Sequence, residues 1–266
     1  MSDGSIKTLG VVTHVGEITF PLSLNSVIRQ GVTEVLTISH VYPMHKAFNL
    51  GLDHAYKTGY DYMFLLAGDT ILKPGALKVI VEKMFESKKI FIVSGVSDDL
   101  IFGRGPGGFL LYNMHILRNC HRYKEGPLED IEFVIRTRQV TGCLQGKIKH
   151  PKLTIHHPVW TPEDIFLKLR FCLPKFKDNK KLLEKFRSFL DDGLKNHPEN
   201  MVFIVGNDLY NIMEEKGFEN YILPDKNTKE LRWQWEKFKQ GYNLTGKEFY
   251  AMPEYEVFAA NKLRQT

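Results

Sequence analysis

The sequence has little cysteine. Three residues, Cys120, Cys143 and Cys172, occur in a chain of 266, and they are widely separated and odd in number. This usage argues against a disulfide framework and favours reduced thiols in the cytoplasm. The sequence also has no Cys-x-x-Cys pair, which excludes the common cysteine cages of structural zinc sites.

Long apolar runs are missing as well. No run approaches the roughly 18 residues that a membrane-spanning helix needs, and the N-terminus, MSDGSIKTLG, lacks the basic and apolar regions of a secretion signal. We therefore expect a soluble, cytoplasmic protein without a transmembrane segment.

Neither sign of charge dominates, since the formal net charge is +5. This mildly basic balance fits phosphate-bearing ligands, nucleic acid or an anionic membrane surface.

The first 160 residues alternate short apolar runs with amphipathic segments. The runs are rich in branched or aromatic residues, which predicts strands at residues 9–15, 35–41, 62–67, 90–96, 108–113 and 153–157. Helical patterns separate them at residues 22–30, 47–57 and 76–87. The alternation predicts an α/β fold with a doubly wound, mostly parallel sheet, whose ligands bind at the carboxyl ends of the strands.

The composition changes after Pro158. The segments KKLLEKFRSFLDDGLKNH and KELRWQWEKFKQGY carry apolar residues at helical spacing, while MVFIVG fits either a strand or the start of a buried helix. We predict two regions, residues 1–160 and a mainly helical C-terminal extension, residues 161–266. The stretch from Pro158 to Pro162 is the expected boundary.

Five motifs occur in chain order within the first region. They are the loop from Thr13 to Glu17 after the first strand, HKAFNLGLDHA, LLAGDT, and GPLEDIEF followed by LTIHHP. Together they resemble the family 2 type of GT-A glycosyltransferases, over roughly residues 8–160. The resemblance implies a GT-A-like fold and transfer of a hexose from a nucleotide-diphosphate sugar, a UDP-sugar above all. The acceptor it implies is a glycan, a lipid-linked glycan or DNA, with the C-terminal region as a candidate for binding it.

The motif LLAGDT stands where this family has an Asp-x-Asp signature. Ala67 replaces the first acid and Asp69 matches the second, which implies bound Mn²⁺ or Mg²⁺ that offsets the charge of the departing nucleotide diphosphate. In similar enzymes a histidine after the last core strand completes the metal shell. Strand alternation places His156 opposite the apolar face and His157 on it, so His156 is the expected ligand. The alternative is that Asp69 is an ordinary turn acid.

A second acidic pair, Asp98-Asp99, is an alternative metal site. We expect these two acids to be solvated in a polar loop.

The motif GPLEDIEF is similar to the Glu-Asp pair whose Asp is the general base of an inverting transfer, so the resemblance makes Asp130 the base and Glu129 a contact to the acceptor. Both acids could instead stabilise the start of a helix through its dipole.

The remaining donor-site candidates follow from the resemblance. Thr13 and Glu17 belong to the first-strand loop. Ser39-His40 replaces the acid pair that binds uracil in this family, so the sequence does not identify the nucleotide. Glycines in GRGPGGF could let the backbone approach the donor sugar, or form a flexible surface loop. The predicted nucleotide-sugar-binding set is Thr13, Glu17, His40, Lys46, Asn49, Gly68, Asp69, Gly107 and Gly108.

Three other functions compete with this hypothesis. The basic balance also fits a glycosyltransferase that acts on hydroxymethylated bases in DNA. The missing first acid at Ala67 fits a non-catalytic nucleotide-sugar-binding module. A nucleotidyltransferase would need a glycine-rich, basic phosphate loop after the first strand, and THVGEITFP has none.

Overall fold

The computed structural model describes residues 6–99, 105–118, 120, 122–125, 129–221, 228–246 and 248–251. The chain divides into two compact units. The first contains residues 6–99 and 105–158, and the second begins at Val159. The division lies between Pro158 and Val159.

The first unit is an eight-stranded sheet flanked by helices. Its strands are Thr8–His14 (β1), Glu34–Ser39 (β2), Tyr62–Ala67 (β3), Thr70–Leu72 (β4), Ile90–Asp99 (β5), Gly105–Asn113 (β6), Leu144–Lys147 (β7) and Thr154–His156 (β8). Its helices are Phe20–Ile28 (α1), Met44–Thr58 (α2), Ala76–Phe85 (α3), Met114–Leu117 (α4) and Glu129–Thr141 (α5). The strands β4 and β7 are additions to the predicted set, because one has only three residues and the other, LQGK, has no apolar run.

The sheet is mostly parallel, as the sequence predicts. Strand β1 pairs in parallel with β2 and β3, and β5 pairs in parallel with β7 and β8. Strand β6 lies antiparallel between β3 and β5, and β4 is antiparallel to β8. Among the described strands of this sheet, β4 and β6 are therefore reversed and the others run in one direction. The carboxyl ends of β1, β2, β3, β5 and β8 consequently meet at one edge of the sheet.

Helices cover both faces of this sheet. Strand alternation sends Val11 and Met63 to one face, where they pack with Leu52 of α2 and Phe133 of α5. Their chain neighbours Val12 and Phe64 point to the other face, where the apolar sides of α1 and α3 cover them. Burial on both faces explains why the strands read as continuous apolar runs. The predicted α/β class with a doubly wound sheet is thereby confirmed.

The second unit is mainly helical, as predicted for the C-terminal extension. Its helices are Pro162–Cys172 (α6), Lys180–Asn196 (α7), Met201–Lys216 (α8) and Thr228–Phe238 (α9), and its strands Val159–Trp160 (β9) and Tyr250–Ala251 (β10) pair antiparallel. Short 3-10 turns occur at Pro174–Phe176, Phe218–Tyr221 and Lys239–Gly241. The ambiguous run MVFIVG begins α8, whose first turn is capped by the Asn200 side chain. Within the described residues, each helix is too short or too polar to cross a membrane.

Helices α7 and α8 approach each other closely at Gly193. A methyl group at this position would overlap the ring of Phe203. We expect Gly193→Ala to destabilise the second unit by about 1–3 kcal/mol, because the overlap outweighs the higher helix propensity of alanine. Denaturant unfolding followed by tryptophan fluorescence measures this directly, since all three tryptophans lie after residue 158.

The matched control for this prediction is Gly241→Ala. An added methyl group at Gly241 meets no heavy atom within 4 Å, so its free energy of unfolding should stay within about 0.5 kcal/mol of the wild type. If Gly193→Ala unfolds at the same denaturant concentration as this control, the close approach of α7 and α8 is refuted.

Candidate metal centre

The turn between β3 and β4 carries Asp69 to the carboxyl edge of the sheet. The Gly68 amide donates to the Thr13 carbonyl (2.8 Å), and its carbonyl accepts hydrogen bonds from the hydroxyls of Thr19 (2.8 Å) and Ser23 (2.7 Å). A Cβ at Gly68 would lie 2.7 Å from the Cβ of His14, so the turn accepts only glycine here. The apolar run therefore ends where α1 and β1 hold the backbone, and Asp69 follows as the next residue.

Two imidazoles converge on the Asp69 carboxylate. Strand β8 pairs with β4 so that His156 lies opposite Thr70, and the His157 amide donates to the Asp69 carbonyl (2.8 Å). The Nε2 atoms of His156 and His157 lie 3.5 and 3.2 Å from Asp69 Oδ2. The Thr70 hydroxyl donates to the other oxygen, Oδ1, at 3.1 Å.

The regular side-chain alternation of β8 does not continue to His157. Strand β8 ends at His156, and His157 has a φ of 49°, in the left-handed region. The backbone therefore turns at His157 instead of continuing the strand. The His157 ring lies on the same side as the His156 ring, with 4.0 Å between the ring centroids. Both imidazoles, rather than His156 alone, face the aspartate.

The pair Asp98-Asp99 differs from the expectation of two solvated loop acids. Both residues belong to β5, and the Asp99 side chain is only 1% exposed. Asp99 Oδ2 accepts a hydrogen bond from His156 Nδ1 at 2.8 Å, with its backbone directly opposite His156 in the parallel pairing of β5 and β8. Asp99 is therefore a buried partner of a site histidine.

Asp98 points to a different environment. It forms ion pairs with Lys73 (3.1 Å) and Lys152 (2.6 Å), and its side chain is about one-third exposed. Partial burial disfavours its ionised form, but the hydrogen bonds from the two lysines outweigh this effect and hold the pKa of Asp98 below its usual value. The two neighbouring acids therefore have separate partners.

The cluster of Asp69, His156 and His157 fits a divalent cation. One ligand atom from each residue lies within 4.8 Å of the other two. A metal ion with bonds of about 2.1 Å holds adjacent ligands about 3 Å apart, close to the 3.2 and 3.5 Å separations found here. A set of one carboxylate and two imidazoles suits Mn²⁺ and other transition ions better than Mg²⁺, which prefers oxygen ligands.

The first-strand loop lies beside this cluster. Glu17 Oε2 accepts a hydrogen bond from the Val15 amide (2.7 Å) and is 3.1 Å from the position that a Cβ of Gly68 would take. The Thr13 carbonyl accepts the hydrogen bond from the Gly68 amide. The structure thus brings the predicted residues Thr13, Glu17, Gly68 and Asp69 together around one turn.

The end of β1 also forms an aromatic and imidazole surface that the sequence did not reveal. The His14 ring stacks on Phe20 with 3.6 Å between centroids, and its Nε2 is 2.7 Å from the Ser39 hydroxyl. The predicted residue His40 is exposed, has a φ of 54° and meets His14 edge to face. Burial, and secondarily the neighbouring His40, lowers the pKa of His14. The neutral form of His14 is therefore favoured near neutral pH.

Other predicted residues lie on separate elements. Lys46 is exposed on the first turn of α2. The Asn49 side chain binds a distant backbone segment. Its Nδ2 donates to the Tyr123 carbonyl (3.0 Å), and its Oδ1 accepts from the Tyr123 backbone amide (2.9 Å). The Tyr123 ring stacks on Phe133 of α5 with 4.1 Å between centroids. In this structure Asn49 therefore supports the packing of α5.

The predicted base and the glycine-rich segment lie on α5 and β6. Glu129 begins α5, and Asp130 is exposed in its first turn, where a carboxylate also interacts favourably with the helix dipole. Gly107 and Gly108 lie within β6, so this part of GRGPGGF is strand rather than surface loop.

Comparison with known proteins gives no match to a family model and none to a curated sequence. A protein from STIV overlaps with 16% identity and a TM-score of 0.43, covering 54% of this chain and 82% of its own. A glucosyl-3-phosphoglycerate synthase from Mycobacterium tuberculosis, in complex with Mn²⁺, UDP and glucosyl-3-phosphoglycerate, shares 14% identity at a TM-score of 0.42, over 56% of this chain and 72% of its own. S. aureus TarS shares 12% identity at a TM-score of 0.41, over 71% of this chain and 44% of its own. Overlaps at these scores assign neither a family nor a residue role to this chain.

We expect both imidazoles to contribute to cation affinity. Each of His156→Ala and His157→Ala should weaken Mn²⁺ binding about tenfold or more, a loss of at least ~1.4 kcal/mol. The electron paramagnetic resonance signal of free Mn²⁺ during a titration gives the dissociation constants.

The matched control is His54→Ala. His54 also lies near a carboxylate, with Nε2 3.7 Å from Glu34 Oε1, but Glu34 begins β2 and so lies at the amino end of that strand, away from the carboxyl edge of the sheet. Its replacement should leave Mn²⁺ affinity unchanged. Equal affinity of the wild type and His157→Ala would show that the strand-alternation prediction was right about the metal and that His157 is only structural.

Proposed function

We propose that this protein is a metal-assisted glycosyltransferase that moves a hexose from a nucleotide-diphosphate sugar, with a UDP-sugar as the first candidate, to an acceptor hydroxyl with inversion. The observation that carries this proposal is the convergence of Asp69, His156 and His157 at the carboxyl edge of a mostly parallel sheet. Ligands of open α/β sheets bind at this edge. A cation there lies where a nucleotide diphosphate would be placed.

Asp69, His156 and His157 would hold the cation, Mn²⁺ in preference to Mg²⁺. When bound, such an ion supplies a positive charge that stabilises the negative charge developing on a leaving diphosphate. The imidazole of His157 would replace the ligand that is missing at Ala67, because Asp69, His156 and His157 together offer three protein ligands. Asp69 is held for this role by the Gly68 turn and by the Thr70 hydroxyl.

The loop after β1 would bind the nucleoside part of the donor. Thr13, Glu17 and Gly68 lie around the Asp69 turn, and His14 and His40 add imidazole faces beside it. Flat aromatic and imidazole rings provide stacking surfaces for a base. Lys46, exposed on the first turn of α2, would add positive charge for the phosphates.

Asp130 would be the general base. Its carboxylate is exposed at the first turn of α5, so an acceptor hydroxyl can reach it. The carboxylate would take the hydroxyl proton while the oxygen forms a bond to the anomeric carbon and the bond from that carbon to the diphosphate oxygen breaks. One displacement of this kind inverts the anomeric centre. Glu129, at the start of the same helix, would contact the acceptor.

The experiment is a panel of nucleotide sugars incubated with the protein and Mn²⁺, with release of free nucleoside diphosphate as the measurement. We expect release above the blank for at least one donor, its loss on chelation of the metal, and its loss in Asp69→Asn. No release with any donor, while Mn²⁺ still binds, would contradict the proposal and favour a binding module.

The proposed base gives a separate prediction. Asp130→Asn should lower turnover about 10²–10⁴-fold, the usual contribution of general base catalysis, and leave Mn²⁺ affinity unchanged. Glu132→Gln is the matched control, because Glu132 lies on the same helix and is engaged by Arg136 at 3.2 Å. Equal turnover in Asp130→Asn and Glu132→Gln would remove Asp130 from the mechanism.

A further inference from the structure

Asp99 is a buried carboxylate at the end of β5. Its side chain is 1% exposed, whereas that of Asp98, the preceding residue, is about one-third exposed between two lysines. An ionised carboxylate is buried only where hydrogen bonds and opposite charge compensate for the lost water. For Asp99 the structure provides the Nδ1 atom of His156, at 2.8 Å from Oδ2.

The sheet fixes this contact. Strands β5 and β8 are parallel, with Asp98 opposite Ile155 and Asp99 opposite His156. The alternation of side chains then sends Asp98 to the face of its lysine partners and Asp99 to the face of His156. The pairing is a consequence of backbone register, so it is set before any ligand binds.

The hydrogen bond determines which imidazole nitrogen is available. A carboxylate accepts, so the proton of a neutral His156 must be on Nδ1, and the lone pair is then on Nε2. Nε2 is the atom that faces Asp69 Oδ2, at 3.5 Å. A hydrogen-bond acceptor at the ring nitrogen that does not bind the metal commonly fixes the tautomer and the ring orientation of a metal-binding histidine in this way.

We propose that Asp99 is a positioning residue of the candidate metal centre, which holds His156 in the Nδ1–H tautomer and presents its Nε2 beside Asp69 and His157. This inference rests on the metal site of the proposed function and is independent of sugar transfer. It also explains why the chain keeps a carboxylate in a position that excludes water.

The test compares Asp99→Asn with Asp98→Asn. The asparagine side chain has the same size as aspartate but can present an amide donor to Nδ1, which removes the preference for one tautomer. We expect Mn²⁺ affinity, measured by paramagnetic resonance with Mn²⁺ alone, to fall about 10–100-fold in Asp99→Asn, the usual effect of losing such a partner. Asp98→Asn, which alters the contacts to Lys73 and Lys152, should bind Mn²⁺ like the wild type.

A double-mutant cycle separates positioning from a general structural role. If Asp99 acts through His156, Asp99→Asn should have no further effect on Mn²⁺ affinity in a His156→Ala background. Additive losses in the cycle, or wild-type affinity in a folded Asp99→Asn protein, would overturn the inference. Circular dichroism of each variant verifies folding, and should Asp99→Asn fail to fold, Asp99→Glu, which keeps a carboxylate acceptor, replaces it and is expected to retain part of the affinity.

The outcomes for this inference and for the proposed function are distinguishable. Nucleotide release by the wild type together with full Mn²⁺ affinity in Asp99→Asn would overturn the role of Asp99 alone. Mn²⁺ binding that depends on Asp99 in a protein that releases no nucleotide would support the role of Asp99 and contradict sugar transfer.

Discussion

The candidate site depends on one constraint, the meeting of a carboxylate and two imidazoles at the edge where parallel strands end. Asp69 is far from His156 and His157 in the sequence, yet the three side chains lie close enough to bind a single ion. Two backbone pairings achieve this. Strand β4 pairs with β8 immediately after the Asp69 turn, and β8 pairs with the end of β5. A shift of either register by one residue would turn the site side chains to the opposite face.

The surrounding fold supports this edge with few degrees of freedom. Apolar side chains are buried on both faces of the sheet, beneath α2 and α5 on one side and α1 and α3 on the other. Gly68 allows the β3 end to touch β1, and its carbonyl is held by two hydroxyls. The backbone around the acid is therefore held in place before ligand binding, and a preformed site loses less entropy when it binds a ligand.

Much of the fold could be predicted from the sequence, because buried parallel strands leave apolar runs and helices leave a 3.6-residue pattern. The position of Asp69 at the end of a core strand could also be predicted. The approach of the His157 ring to Asp69 could not be predicted, because it depends on a positive φ at His157 that the residue type does not indicate. Asp99 was expected in a loop because the apolar run ends at Val96, whereas β5 continues to Asp99.

Long-range partners are the other part that the sequence does not reveal. Asn49 contacts the Tyr123 backbone 74 positions away, and nothing in HKAFNLGLDHA indicates such a clamp. Local patterns report which face a residue occupies, but the identity of the facing residue depends on strand order and register. The same limit applies to His14, whose stacking on Phe20 depends on the packing of α1 against β1.

A crystal structure of the protein with Mn²⁺ and UDP, with anomalous diffraction to locate the metal, shows whether Asp69, His156 and His157 bind one ion beside the nucleotide. We expect one strong anomalous peak within about 2.3 Å of an Asp69 oxygen and of the Nε2 atoms of His156 and His157, with the diphosphate of UDP on the same ion. A peak at other residues, or bound UDP with no metal at this cluster, would contradict this expectation.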